Sequence, residues 1–204
     1  MSSILAIDCC LRLTGAALMV DGRIIGCMQE DLGRKQSQKL PLMAESLMRR
    51  NNLAWESLDY IALTNGPGYF TGVRVGASYA SGLAYASGAK IIPVSSLEML
   101  AQSSGLSGKI IAVVYAGHGS VYAWGEGIVA AGEYSLEELD ERIKANPDAI
   151  VISDDPERAG VKGYSAQVKP EVSALCELAC LRTQEAVNPL ELKVSYFRAP
   201  QGVK

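Results

Sequence analysis

The chain has 204 residues, 49% of them hydrophobic and 20% charged, and its 19 Lys+Arg against 22 Asp+Glu leave a formal net charge of −3. This composition suits a compact globular protein long enough for two small lobes, and it excludes an overall basic field that would hold nucleic acid by counterion release. No apolar run approaches the roughly 20 residues that cross a bilayer, and Met1-Ser2-Ser3-Ile4-Leu5 has no basic leader, so the expected location is the cytoplasm, with no membrane contact.

Residues 4–7 are an unbroken apolar run, as in a buried central strand, ending at Asp8. Residues 14–20 predict a second strand, Asp21-Gly22 a hairpin turn and residues 23–28 a third strand. The period then changes. Leu40, Met43, Ala44, Leu47 and Met48 recur at helical spacing, predicting a helix over 37–50 with Pro41 in its first turn. Residues 60–64 read as a strand that runs into the turn-rich loop Gly66-Pro67-Gly68-Tyr69-Phe70-Thr71-Gly72 and then a helix over about 73–87. Gly72, Gly76, Ala80 and Ala84 stand four apart there, with Ala77 beside them. Glycine costs roughly 1 kcal/mol relative to alanine inside a helix, so this small-residue face has a packing purpose. Two are open: burial against the sheet of its own lobe, or a seam with another subunit formed together with Leu40, Met43 and Leu47.

Residues 90–94 predict another strand, and Ser95-Ser96-Leu97-Glu98 is a capping box that opens a short helix. The Gly105 to Gly108 segment marks a boundary between an N-terminal lobe, 1–104, and a smaller C-terminal lobe, 105–204. Strands at 109–115 and 121–125, around a turn at 116–120, echo the start of the chain. A helix over 135–145, a strand over 149–153, a turn at Asp154-Asp155-Pro156, a helix over 172–183 and a tail through Asn188-Pro189 complete the order. Only Gln201 to Lys204 reads as disordered. The fold class is α/β, with two small lobes of mixed sheets flanked by helices.

Five cysteines are an odd set, so a disulfide framework is not expected. Cys9-Cys10 and the helically spaced Cys176/Cys180 read as small buried hydrophobes or, alternatively, as a pair of metal thiolates. His118 is the single histidine, which removes every two-histidine metal motif. Flanked by Gly117 and Gly119, it reads as a hairpin turn.

An Asp that ends a buried strand, with small or hydroxylated residues in the next hairpin, can hold a metal-bound nucleotide phosphate. Asp8, Thr14 and Gly15 occupy those positions. The matching end of the second lobe's hairpin, Tyr115 followed by Ala116-Gly117, carries no carboxylate, so half of a phosphate clamp is missing. The 66–72 loop has no P-loop lysine; it is a tight strand-to-helix turn, or an anion site at a helix N-terminus. Arg74, in the first turn of that helix, opposes the helix dipole and suits a partner's carboxylate.

Ile4-Leu5-Ala6-Ile7-Asp8, Arg34-Lys35-Gln36-Ser37-Gln38-Lys39-Leu40-Pro41, Gly66-Pro67-Gly68-Tyr69-Phe70-Thr71-Gly72-Val73-Arg74-Val75-Gly76 and Gly82-Leu83-Ala84 resemble the bacterial TsaB (YeaZ) family. The second half resembles it by pattern only, through Val121-Tyr122 and the tail Ser195-Tyr196-Phe197-Arg198. The resemblance implies the actin-like ATPase (ribonuclease H-like) fold and a part in forming N6-threonylcarbamoyladenosine at position 37 of tRNAs that read codons beginning with A. It implies a non-catalytic scaffold that pairs through its two first-lobe helices with a TsaD-like subunit, is joined by a TsaE-like ATPase, forms homodimers when alone and meets tRNA only indirectly. The interface residues so implied are Leu40, Met43, Leu47, Gly68, Tyr69, Thr71, Arg74, Gly76 and Ala80. No catalytic or metal-ligating residue is assigned and no cofactor is expected, ATP or ADP with magnesium at a partner interface being the one exception left open. Against the family pattern, Gln36 and Tyr69 replace His and Ser, and Tyr115-Ala116-Gly117 replaces Asp-Ala-Arg. The competing reading is an actin-like-fold ATPase, kinase or glycoprotease-like hydrolase using Asp8.

Overall fold

The computed structural model describes residues 2–197; Arg198 of the resemblance and the 201–204 tail lie outside the described residues. Ten strands form two five-stranded sheets. In the first, β1 (Ser3–Asp8) lies between β2 (Thr14–Val20) and β4 (Tyr60–Thr64), with β3 (Arg23–Glu30) and β5 (Lys90–Val94) at the edges. All six residues of β1 are buried, as an apolar run covered on both faces must be. The turn to β3 puts Asp21 (φ 48°) and Gly22 (φ 75°) in the left-handed region, which matches the twist of a hairpin.

The second sheet repeats this order: β6 (Ile110–Gly117) lies between β7 (Ser120–Gly125) and β9 (Ile150–Ser153), with β8 (Val129–Ser135) and the two-residue β10 (Ala166–Gln167) outside. The echo in the sequence is therefore a duplicated topology, including two strands that the sequence pattern did not reveal. β8 is rich in small residues without clean alternation, and β10 is too short to carry a period.

The helices also correspond. α1 (Gln36–Arg50) and α2 (Phe70–Ser87) cover the outer face of the first sheet, while α4 (Leu136–Lys144) and α5 (Pro156–Ala159) pack on the second. Pro41 falls in the second turn of α1, because a 3-10 turn at Gly33–Lys35 leads directly into a helix that begins at Gln36. α2 likewise begins three residues earlier than expected, so Arg74 lies in its second turn. α3 (Ser96–Ser103), which follows β5, packs on β6 and β7, whereas α6 (Val172–Cys180), which follows β10, packs on β1 and β2. The helices are exchanged between the sheets and touch each other in a central core with Leu11, Leu97, Leu100, Val114, Ile152 and Leu175. Each large side chain buried there stabilises the closed arrangement by about 1.5–3 kcal/mol relative to exposure. Beyond α6 the described residues return to the first sheet, where Val187 bridges Ile91 and the Ser195 amide donates to the Asn65 carbonyl at 2.8 Å, and then reach the second, where Phe197 packs on Tyr122 of β7. The first sheet ends in sequence with β5 and the second begins with β6, while α6, which follows both, packs on the first.

Candidate functional site

Asp8 ends β1 on the side facing the second sheet, with no exposed surface. Its Oδ1 accepts from the Thr64 hydroxyl at 2.5 Å and the Cys10 amide at 2.9 Å, and its buried Oδ2 has no hydrogen-bond partner among the described residues. Burial raises its pKa to about 6 against the pull of those two donors, and the charge of Asp154 adds to the rise. Asp154 is 6% exposed and its pKa is also raised, again mainly by burial.

Register explains this pairing. Ile7 lies opposite Leu63 in the first sheet and Val113 opposite Ser153 in the second, so Asp8 corresponds to Val114, not Tyr115, and Thr64 corresponds to Asp154. The second lobe does bring a carboxylate to the junction. It comes from the end of β9 rather than β6, a position visible only once the strands are aligned by their neighbours.

The other two residues of the expected phosphate site are closed off. The Thr14 hydroxyl accepts from the Gln36 amide at 3.0 Å. A Cβ on Gly15 would lie 3.0 Å from the Met28 carbonyl and 3.1 Å from a Val172 methyl; that glycine exists for packing against β3 and α6. The 66–72 loop is equally occupied: the Tyr69 amide donates to the Cys10 carbonyl at 2.8 Å, and Cβ atoms on Gly68 or Gly72 would overlap the carbonyl oxygens of Cys10 and Cys9. These glycines let α2 and its entry loop press on the backbone after β1. They do not form an open anion cradle.

The small-residue face of α2 follows the same logic. Gly72, Gly76, Ala80 and Ala84 are buried within the chain, as are Leu40, Met43 and Leu47 of α1. Of the two purposes open from sequence, packing on its own lobe is the one observed, because Gly76 lies against Leu63 and Cys9. The partner-facing residues expected at Leu40, Met43, Leu47, Gly68, Gly76 and Ala80 therefore point inward or lie under the loop. Outward from the same two helices stand Leu42 (55% exposed), Phe70 (42%) and Tyr85 (74%), with Thr71, Arg74, Ser78 and Gly82 also exposed. An open groove between the helices is lined by Ser37, Pro41, Phe70, Arg74, Ser78 and Tyr79. Arg74 stacks on Phe70 at 4.6 Å and makes no ion pair among the described residues. Among the described residues Gly82 has nothing within 4 Å of where a Cβ would be, so their packing gives no reason for it. The spacing Thr71, Arg74, Ser78, Gly82, Tyr85 is the signal that could have identified this outer stripe in the sequence.

Tyr69 is held at the lobe junction: Arg158 stacks on its ring at 4.9 Å and on the Tyr115 ring at 4.6 Å. Cys9, Cys10 and Cys176 are buried thiols whose pKa values burial drives upward, that of Cys176 to about 12, so they behave as hydrophobes. Cys180 is exposed and does not share a site with Cys176. Among the described residues, no group of three His, Cys, Asp or Glu side chains is placed to hold a metal, and no helix is long and apolar enough to cross a membrane. His118 occupies the β6–β7 turn with φ 52°.

Comparison with known proteins agrees with this architecture. Residues 22–159 match the family TsaD, tRNA N6-adenosine threonylcarbamoyltransferase. The tRNA threonylcarbamoyladenosine biosynthesis protein TsaB of Haemophilus influenzae is 32% identical over 102 residues, covering 50% of this chain and 43% of that protein. TsaB of Escherichia coli is 32% identical over 126 residues, 60% of this chain and 54% of that one. The chain spans about half the length of these curated relatives. The structure of YeaZ from Pseudomonas aeruginosa superposes with a TM-score of 0.82 at 24% identity, covering 96% of this chain and 100% of that one. The fold is thus the actin-like (ribonuclease H-like) one. A magnesium-bound nucleotide, which that fold implies, does not fit these residues: Asp8 is sealed, Thr14 is bonded to Gln36, and Gly15 and Gly68 are pressed against the chain's own atoms.

Proposed function

Because the chain belongs to the TsaD-related family, on its TsaB/YeaZ branch, we propose that it acts in forming N6-threonylcarbamoyladenosine on tRNA as a non-catalytic scaffold. Its partner in this reading is a TsaD-type subunit, with a TsaE-type ATPase joining the complex and a homodimer forming when the chain is alone. The observation that carries the reading is the outer face of α1 and α2. There Phe70 lines a groove between the helices, Leu42 and Tyr85 expose further apolar surface on the same pair, and Gly82 leaves room for a second backbone that no described residue fills. Apolar anchors beside small residues are what a helix-to-helix seam requires. The acidic net charge accords with tRNA being reached through the partner.

The test is co-expression with the TsaD-type protein of the same genome. Leu42→Glu and Gly82→Trp should weaken co-purification at least 100-fold while each variant keeps the wild-type melting temperature, and depletion of the chain should lower the tRNA modification. Undiminished pairing by both folded variants would sink this interface. Met43→Glu and Gly76→Trp are unsuitable probes, since both positions are buried in the chain itself. Against the sealed Asp8 site stands a single observation for the second reading, an ATPase or hydrolase using Asp8: its Oδ2 has no hydrogen-bond partner among the described residues. Calorimetry with ATP and magnesium decides it: tight binding that disappears in Asp8→Ala would replace the scaffold reading.

A further inference from the structure

The ends of β1 and β9 bring Asp8 and Asp154 to the junction of the two lobes, both out of water. The charge of Asp154 adds a small part to the raised pKa of Asp8. A side-chain contact from one lobe to the other stands at the same junction. Arg158 in α5 belongs to the second lobe, and its Nη1 donates at 3.1 Å to the hydroxyl of Tyr69 in the first. The guanidinium also stacks on the Tyr69 ring at 4.9 Å, while Tyr115, from β6, backs it at 4.6 Å. Tyr115 thus holds the guanidinium from its own lobe, so the contact to Tyr69 requires little further ordering. The backbone amide of Arg158 is fixed in turn by Asp155 Oδ1 at 3.2 Å. A second, weaker link crosses nearby, from the Arg12 amide to Asp154 Oδ2 at 3.4 Å.

We propose that Arg158, held between Tyr69 and Tyr115, is a latch that keeps the two lobes closed over Asp8 and Asp154. The exchanged helices α3 and α6 act as the hinge side, and the latch sets how often the opposite rim opens. A cation on an exposed aromatic face together with one hydrogen bond to it shifts such an equilibrium roughly tenfold.

Amide hydrogen exchange of the full chain, followed by NMR, reads this directly, because the Arg12 amide bonds across the junction. Arg158→Ala should speed exchange at residues 10–12 roughly tenfold. Tyr69→Phe, which keeps the ring and loses the hydroxyl, should give a smaller acceleration, and Arg158→Lys an intermediate one. Amides of α4 and β2 should keep wild-type rates in all three. Wild-type exchange at residues 10–12 in Arg158→Ala overturns the latch. Equal acceleration throughout the chain also overturns it, since Arg158 would then support only overall stability.

Discussion

In the first sheet, the strand ends carry Asp8 and Thr64, and the connections on the outer face are helices of 15 and 18 residues. In the second, the same places hold Val114 and Asp154, and the helices have nine and four residues. The strand order is identical, so the difference lies in what was built upon it. α4 carries Glu137, Glu138, Asp140, Glu141, Arg142 and Lys144 in nine residues, a solvated surface with one buried leucine. α1 and α2 instead cover their own sheet and still leave Leu42, Phe70 and Tyr85 exposed. On the outer helices, exposed large apolar side chains lie on the first copy of the duplicated fold, while a shared core joins the two copies.

The close approach of α2 to the backbone after β1 is the sharpest asymmetry and the easiest to break. Gly72→Ala should cost about 3 kcal/mol, because the added Cβ meets a backbone carbonyl that cannot swing aside. Gly163→Ala in the second lobe, with nothing within 4 Å, should stay within about 0.5 kcal/mol. Urea midpoints of the two variants compare them.

Asp8 titrates where its counterpart Val114 cannot, so the first lobe contributes to the pH response through the end of β1 and the second through Asp154 after β9. A native pKa raised from 3.8 to about 6 corresponds to about 3 kcal/mol. The native carboxyl holds its proton more tightly than the unfolded one. Its contribution is therefore fully present below about pH 4 and is lost as pH rises through 6. Asp154, also raised, acts in the same direction. The stability gain of Asp8→Asn over wild type should accordingly grow by about 3 kcal/mol between pH 4 and pH 7.5, measured by urea unfolding. A gain that does not change with pH would show that Asp8 is ionised in the native state throughout that range.

Smaller effects test the helices. Ser95→Ala and Ser135→Ala each remove a complete capping box and should each cost about 1 kcal/mol, whichever sheet the helix packs on. Gly82→Ala should do the opposite, stabilising the isolated chain by somewhat less than 1 kcal/mol, because no neighbour meets the new Cβ. Thermal melts of the chain alone check both signs.

Much of this fold is legible from local pattern. The bounds of β2, β4 and β5 are those the apolar runs and turn residues predict, and the Ser95 capping box opens a helix as expected. The misses have local causes too: a 3-10 turn extends α1 backward, and β8 lacks period. The candidate site was harder to read. Asp8 stood out as the polar end of an apolar strand, yet its neighbours Thr64 and Asp154 lie 56 and 146 positions away, and no spacing rule links them. The small-residue stripe of α2 was visible, but a stripe does not say which of two surfaces it meets.

Eight of the ten described strands, the helical faces, the echo between the two halves and the acidic balance follow from the sequence by itself, because propensity, periodicity and charge act over a few residues at a time. Tertiary structure alone decided that α3 and α6 are exchanged, that the glycines face inward to Cys9 and Cys10, that Asp154 rather than a β6 residue brings a charge near Asp8, and that Arg158 joins Tyr69 to Tyr115. Each of these links segments distant in the chain. Their energies depend on separation and on exclusion of water, which only the packed molecule fixes.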